Sequence, residues 1–135
     1  MSDHPDRLSK EHHQHIFQEK VLPQSGLDRF TPQDHPKAVI LAGQPGAGKG
    51  GLARAVRQEF NGDIFPVDPD EQRKFHPDAK RWQQESPYGW SQQTNSDAGA
   101  WAGELRSAGV ERRVNLLVDT TLGDARSATR MIEGL

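Results

Sequence analysis

A glycine-rich segment in the first half of the chain constrains the fold more than any other feature. Residues Gly43–Gly50 read Gly-Gln-Pro-Gly-Ala-Gly-Lys-Gly and follow the apolar run Ala38–Ala42. Leu52, Ala53 and Val56 then recur at helical spacing. A strand, a glycine-rich turn ending in lysine, and a helix together form the arrangement of a P-loop. The segment therefore predicts an α/β fold with a site for nucleotide phosphates.

Each part of this loop has a physical role in binding phosphate. Glycines let the backbone N–H groups approach phosphate oxygens, and the helix N-terminus adds donors and partial positive charge. Lys49 supplies a full charge, whereas Gly50 stands where a Ser or Thr hydroxyl would bind Mg²⁺. A glycine-rich turn with a solvated lysine is the alternative, and the strand and helix around it argue against it. The predicted nucleotide-binding residues are Gly43, Gln44, Pro45, Gly46, Ala47, Gly48, Lys49 and Gly50.

The composition limits the class of protein and its partners. The chain has 135 residues, about one domain, of which 33% are hydrophobic. The net charge is -2 and no basic tract stands out, so a nucleic acid partner is not favoured. There is no cysteine for disulfides or thiolate metal sites, and no apolar segment of the roughly 18–20 residues that span a bilayer. We expect a soluble cytoplasmic protein without a membrane partner.

The N-terminal region predicts one helix. Ser9 can cap a helix over Lys10–Leu22, in which Ile16, Phe17 and Val21 are the apolar positions. The same stretch carries three histidines, and adjacent histidines on a helix point in different directions, so a polar helix face is favoured over a metal site. These histidines are His12, His13 and His15.

A second strand is predicted over Asp63–Asp68, where Pro66 indicates an edge strand or a strand end. Pro69 then suits the first turn of a short helix that Pro77 must end. Asp70 and Arg73 are three residues apart and share a face of that helix. Acidic residues at strand ends often serve P-loop chemistry, but spacing alone equally allows an exposed ion pair at a helix N-terminus.

The second half of the chain predicts a polar loop, a helix and a strand. Residues 78–96 are polar with scattered aromatic residues, which are expected to anchor a loop rather than to line a substrate pocket. A helix is predicted to start at Ser96 or Asp97 and to stop at Gly109. Val114–Asp119 is an apolar run ending in an acid, the Walker B form in which the aspartate holds Mg²⁺ directly or through water. A last helix is predicted from about Asp124.

Four blocks of the chain together resemble the zeta toxin family. The first block is the glycine-rich loop, and the second, with its Asp-x-Asp-x-x-Arg-x-x-His-Pro pattern, is the most distinctive. The four blocks span most of the predicted folded region. They are Gly43–Lys49, Asp68–Pro77, Ser96–Trp101 and Val118–Leu122.

This resemblance implies a P-loop NTPase-like, three-layer α/β/α kinase domain with a parallel sheet, here of about three strands. It implies a toxin of a toxin–antitoxin system that uses ATP (or GTP) and Mg²⁺ to phosphorylate UDP-N-acetylamino sugars, typically UDP-N-acetylglucosamine on the sugar 3′-hydroxyl. A small helical antitoxin is the implied partner. The implied domains are an N-terminal helix and linker over residues 1–36 and the kinase domain over residues 37–135.

The resemblance also assigns roles to single residues. Asp70 matches the general base, Lys49 binds the phosphates during transfer, and Arg73 orients the site. Asp97, Asp119 and Thr121 match the region that contacts the sugar nucleotide, and Asp119 is also the candidate metal ligand.

Two departures from the family pattern weaken the expected activity. Gly50 lacks the metal-binding hydroxyl, and the arginines of the family's lid segment have no counterpart in the sequence. We therefore expect the N-terminal half of a zeta-toxin-like kinase, with low or no activity by itself. The alternatives are a non-catalytic nucleotide-binding module, another small-molecule P-loop kinase, and a chain that does not fold stably alone.

Overall fold

The computed structural model describes residues 8–42, 49–86 and 89–120, with the side chains of residues 49, 90–93, 95 and 120 left out of the description. The chain forms two compact units. The first comprises the residues up to Gly26 together with Pro69–Glu104, and the second comprises Leu27–Asp68 and the residues from Leu105 onward. The division into residues 1–36 and 37–135 stays a prediction.

The predicted N-terminal helix is present in the first unit. It consists of α1 (Lys10–Ile16), a π-helical turn over Phe17–Val21, and α2 (Leu22–Ser25). The Ser9 hydroxyl accepts a hydrogen bond from the His12 backbone N–H at 3.2 Å, which confirms the predicted cap. The helix runs three residues beyond Leu22, to Ser25, and Pro23 follows closely after the π-helical turn.

Helices also occupy most of the segment predicted to be a polar loop. After α3 (Lys49–Glu59) in the second unit come α4 (Pro69–Gln72), a 3₁₀ turn over Arg73–Phe75, α5 (Ala79–Glu85) and α6 (Trp90–Glu111). The prediction of a loop over residues 78–96 is therefore wrong, as is the predicted helix start at Ser96 or Asp97. No helix in residues 8–42, 49–86 and 89–120 is long and apolar enough to cross a membrane.

The buried face of α6 explains why the start of this helix was predicted as a loop. Thr94, Asp97, Ala98 and Trp101 are all buried and lie at i, i+3, i+4 and i+7. Two of these four side chains are polar, so the helical period is hidden when only apolar residues are counted.

The sheet lies in the second unit and is parallel throughout. Its strands are β1 (Ala38–Ala42), β2 (Phe65–Val67) and β3 (Leu116–Thr120), in the order β1-β3-β2. The middle strand β3 pairs with β1 on one side and with β2 on the other. This confirms the predicted α/β fold with a parallel sheet of about three strands.

Pro66 fits its strand because β2 pairs on one side only within the described sheet. The N–H of the preceding residue, Phe65, donates to the Asn115 carbonyl at 2.7 Å. Alternate residues of a strand direct their N–H groups to opposite sides, so the missing N–H of Pro66 faces away from β3. The prediction of an edge position for Pro66 is confirmed for this part of the chain.

A buried amide just before β3 connects the starts of the two outer strands. Asn115 is buried, and its Oδ1 accepts from the Lys37 N–H at 2.9 Å. Its Nδ2 donates to the Asp63 carbonyl at 3.2 Å. One side chain therefore fixes the approach of the chain to both β1 and β2.

Gly109 does not end its helix, contrary to the prediction, because α6 continues to Glu111. A Cβ atom at Gly109 would lie 2.7 Å from Cδ2 of Leu116 and 3.1 Å from Cδ2 of Phe65. Distances this short are repulsive. The glycine therefore permits close contact between the last turns of α6 and the sheet.

We predict that Gly109→Ala lowers the free energy of unfolding by about 1–3 kcal/mol, because the added methyl group overpacks this contact. Gly99→Ala is the matched control, since a Cβ at Gly99 in the same helix meets nothing within 4 Å. Alanine there should stabilise the helix by up to about 1 kcal/mol. Denaturant unfolding measures both variants, and equal effects would contradict the close contact.

Candidate functional site

The carboxyl edge of the sheet carries Asp119 and the end of the strand that precedes the glycine-rich segment. Strand β1 ends at Ala42, and α3 begins at Lys49. In the register of β3 against β1, Asp119 pairs with Leu41 and Thr120 pairs with Ala42. Asp119 is half-buried and lies on the strand next to the one from which the loop departs. This is the edge at which open α/β sheets bind their ligands.

These residues fit a nucleotide phosphate with a divalent cation. An eleven-residue helix begins directly after the loop and can direct its first N–H groups toward an anion. The half-buried carboxylate of Asp119 offers the oxygen ligand that Mg²⁺ prefers. Gly50 is exposed in the first turn of α3. Residues 43–48, the Lys49 side chain and Thr121 lie outside the description, so their roles stay predictions.

Asp70 and Arg73 form a second group, in the first unit. Arg73 donates to Oδ1 of Asp70 from Nε at 3.1 Å and from Nη2 at 2.9 Å. The Asp70 side chain is 74% exposed and that of Arg73 only 14%. The predicted shared helix face is therefore confirmed. The carboxylate faces solvent, where it can accept a proton from a substrate, while the guanidinium holds one of its oxygens.

Arg73 is itself held from α6. Its Nη1 donates to Oγ1 of Thr94 at 3.3 Å, and Thr94 is fully buried. Thr94 has no local sequence signal of burial, because it lies in a polar segment that resembles a loop.

His13 belongs to a buried cluster in the same unit, so the interpretation of the three histidines as a polar helix face is wrong for this one. Its Nδ1 lies 2.7 Å from Oδ1 of Asp97, and its Nε2 lies 3.0 Å from Oε1 of Glu104. The ring stacks on Trp101 at 4.9 Å between centroids, and the indole N–H donates to the His13 carbonyl at 3.1 Å. Each ring nitrogen of His13 therefore faces a carboxylate oxygen.

Asp97 lies inside this cluster, with 1% of its surface exposed. Besides the contact with His13, its Oδ2 accepts from the Leu8 N–H at 3.1 Å and lies 3.8 Å from Nε2 of His76. His76 accepts the Asp78 N–H on Nδ1 at 3.1 Å, which leaves the Nε2 proton directed at Asp97. The assignment of Asp97 as a sugar-nucleotide contact stays a prediction, and these contacts do not favour it.

The described residues include no group of three or more His, Cys, Asp or Glu side chains that could hold a metal ion by themselves. If Asp119 holds a cation, the further ligands would include phosphate oxygens and water, as is usual for Mg²⁺ beside a nucleotide.

The sequence matches one family over most of its length. The family model described as "Zeta toxin" covers residues 24–135. The chain belongs to the zeta toxin family. The resemblance of its four sequence blocks is thereby confirmed.

Two relatives of this zeta toxin family chain are informative. Toxin PezT from Streptococcus pneumoniae serotype 4 (strain ATCC BAA-334 / TIGR4) is 37% identical over 87 residues, which are 64% of this chain and 34% of PezT. The chain thus spans about a third of the length of this curated relative.

A solved structure from the characterisation of the PezAT chromosomal toxin–antitoxin system of the human pathogen Streptococcus pneumoniae superposes with a TM-score of 0.85. It is 24% identical, and the match covers 98% of this chain and 55% of that one. This likeness confirms the fold.

Proposed function

We propose that this zeta toxin family chain carries the nucleotide-binding loop and the general base of a kinase that phosphorylates UDP-N-acetylglucosamine on the sugar 3′-hydroxyl. The observation that carries the proposal is the exposed Asp70 carboxylate, which Arg73 holds through two hydrogen bonds to a single oxygen. The group lies in the most distinctive block of the family. ATP (or GTP) with Mg²⁺ is the proposed phosphate donor.

Each proposed site residue has a separate role in phosphoryl transfer. The sugar hydroxyl loses its proton to Asp70 as its oxygen bonds to the γ-phosphorus, and the bond from that phosphorus to the bridging oxygen breaks to release the nucleoside diphosphate. Lys49 and the loop amides bind the phosphates, and Asp119 would hold Mg²⁺. When bound, the metal neutralises charge that develops on the phosphate oxygens. Arg73 orients Asp70, and Thr121 is a proposed sugar-nucleotide contact, as is Asp97 with less support.

An antitoxin is the proposed macromolecular partner. The similar solved structure comes from the PezAT toxin–antitoxin system. By family membership, we propose that a small helical antitoxin binds this protein and that the protein acts as the toxin. Neither nucleic acid nor a membrane is part of the proposal.

A transfer assay tests the proposed function. The purified chain is incubated with ATP, Mg²⁺ and UDP-N-acetylglucosamine, and the phosphorylated sugar nucleotide is detected by mass spectrometry. We expect slow product formation that requires both the sugar nucleotide and ATP. Phosphorylation of other small-molecule hydroxyls but not of this sugar would instead indicate a different P-loop kinase.

Gly50 favours a second candidate, a non-catalytic nucleotide-binding module. The residue lacks the hydroxyl that usually binds Mg²⁺, although a Cβ at this position would meet no atom within 4 Å. Phosphate binding by the loop amides does not require that hydroxyl, whereas transfer depends on a well-placed metal. Nucleotide binding without phosphorylation of any acceptor would support this candidate.

A further inference from the structure

Thr94 lies on the buried face of α6 and takes no part in the proposed chemistry. It is fully buried, and the described residues on the same face include Asp97, Ala98 and Trp101. Burial of a hydroxyl is unfavourable unless it forms hydrogen bonds. The Thr94 hydroxyl lies 3.3 Å from Nη1 of Arg73, on the side of the guanidinium away from the bonds to Asp70.

The three residues form a series with increasing exposure. Thr94 is buried, the Arg73 side chain is 14% exposed, and the Asp70 side chain is 74% exposed. A guanidinium is planar and rigid, so fixing one terminal nitrogen limits rotation of the whole fork. The hydroxyl on α6 therefore restricts the nitrogens that hold Oδ1 of Asp70. An exposed carboxylate without such support would sample several rotamers.

We propose that Thr94 is a positioning residue, whose hydroxyl accepts a hydrogen bond from Arg73 and thereby holds the guanidinium against Asp70. The residue acts through Arg73 and does not touch substrate. Its effect on turnover rests on the proposed function of Asp70, whereas the restriction of Arg73 does not.

The matched variants are Thr94→Val, which keeps the shape and removes the hydroxyl, and Thr94→Ser, which keeps the hydroxyl. We expect Thr94→Val to lower kcat about tenfold, because the base is held less accurately, with little change in KM for either substrate. Thr94→Ser should restore most of the activity. Thr94→Ala removes the hydroxyl in a smaller side chain and carries the same expectation as Thr94→Val. Thermal melting of each variant separates a loss of folding from a loss of positioning.

The Arg73 Nε–H signal in a ¹H–¹⁵N correlation spectrum provides a second measurement that needs no activity. We expect exchange of this proton with water to be about tenfold faster in Thr94→Val than in Thr94→Ser, because the guanidinium loses a restraint. A folded Thr94→Val protein with unchanged Arg73 exchange would overturn the proposal. If the wild-type chain transfers no phosphate, the proposed function fails, and this measurement still decides the role of Thr94.

A double-mutant cycle tests whether Thr94 acts through Arg73. In an Arg73→Gln background, the effect of Thr94→Val on kcat should largely disappear. An equal effect in both backgrounds would show that the hydroxyl acts elsewhere and would contradict the proposal.

Discussion

Asp70→Asn is expected to lower kcat for phosphorylation of UDP-N-acetylglucosamine by about 10²- to 10⁴-fold, the usual range for removal of a general base. The amide keeps the shape of the side chain and an oxygen that can accept from Arg73, but it cannot take the proton of the sugar hydroxyl. Because the Asp70 side chain is 74% exposed, folding should be unaffected. Steady-state kinetics and a melting curve measure the two quantities separately.

Glu71→Gln is the matched control for this variant. Glu71 is the next residue of α4, is exposed, and loses the same charge on substitution. Its kcat should remain near that of the wild-type chain. If Asp70→Asn keeps more than about a tenth of the wild-type kcat, or if Glu71→Gln loses as much, Asp70 is not the general base.

Asp97→Ala is expected to lower the free energy of unfolding by about 3 kcal/mol, because it leaves buried hydrogen-bonding groups without their partner. The loss leaves the His13 ring and the Leu8 N–H without their carboxylate. His13 is buried and Leu8 is half-buried, so water cannot fully replace the lost hydrogen-bond acceptor. Urea denaturation with a constant m-value measures this change.

Asp78→Ala provides the matched control for this loss. Asp78 pairs with Arg81 at 3.1 Å, and both side chains are largely in solvent, at 43% and 56% exposure. Exposed pairs of this kind contribute at most about 1 kcal/mol. If Asp97→Ala costs no more than Asp78→Ala, the buried cluster does not stabilise the first unit. Unchanged stability with a raised KM for the sugar nucleotide would instead favour Asp97 as a substrate contact.

Local sequence predicted the sheet well, for physical reasons that lie within each segment. The runs Ala38–Ala42 and Leu116–Val118 are continuously apolar, which is the pattern typical of parallel strands. Asn61 and Gly62 follow α3 and adopt positive φ values of 55° and 81°, a conformation that these two residue types tolerate better than most. Pro66 lies on an edge strand of the described sheet, where its missing N–H does not interrupt the pairing with β3. Strong local signals and the tertiary structure agree at these positions.

The errors fall where distant contacts decide the outcome. His13 reads as one of three surface histidines, yet its partners Asp97 and Glu104 lie more than 80 residues along the chain. Gly109 resembles a glycine that ends a helix. A glycine is needed there because a side chain would be too close to Leu116 and Phe65. Thr94 is buried on α6 although threonine is a weak helix former and gives no apolar signal. Sequence patterns do not contain these contacts.

The candidate site was predictable only where its contacts join residues that are close in sequence. Asp70 and Arg73 are neighbours on one helical turn, so their spacing was sufficient to predict their contact. The position of Asp119 next to β1 depends on the strand order, which the strand pattern alone did not give. The support of Arg73 by Thr94 connects segments 21 residues apart and required the structure.

Titration calorimetry of the chain with ATP and Mg²⁺ tests the central claim most directly, because both candidate functions require phosphate binding at the loop between β1 and α3. We expect saturable binding that Lys49→Ala weakens by at least about tenfold, since the variant loses a charge-assisted bond to phosphate. Lys37→Ala removes the same charge from an exposed lysine just before the opposite end of β1 and should leave the affinity unchanged. Absence of binding, or equal weakening by both variants, would contradict a nucleotide site at this loop.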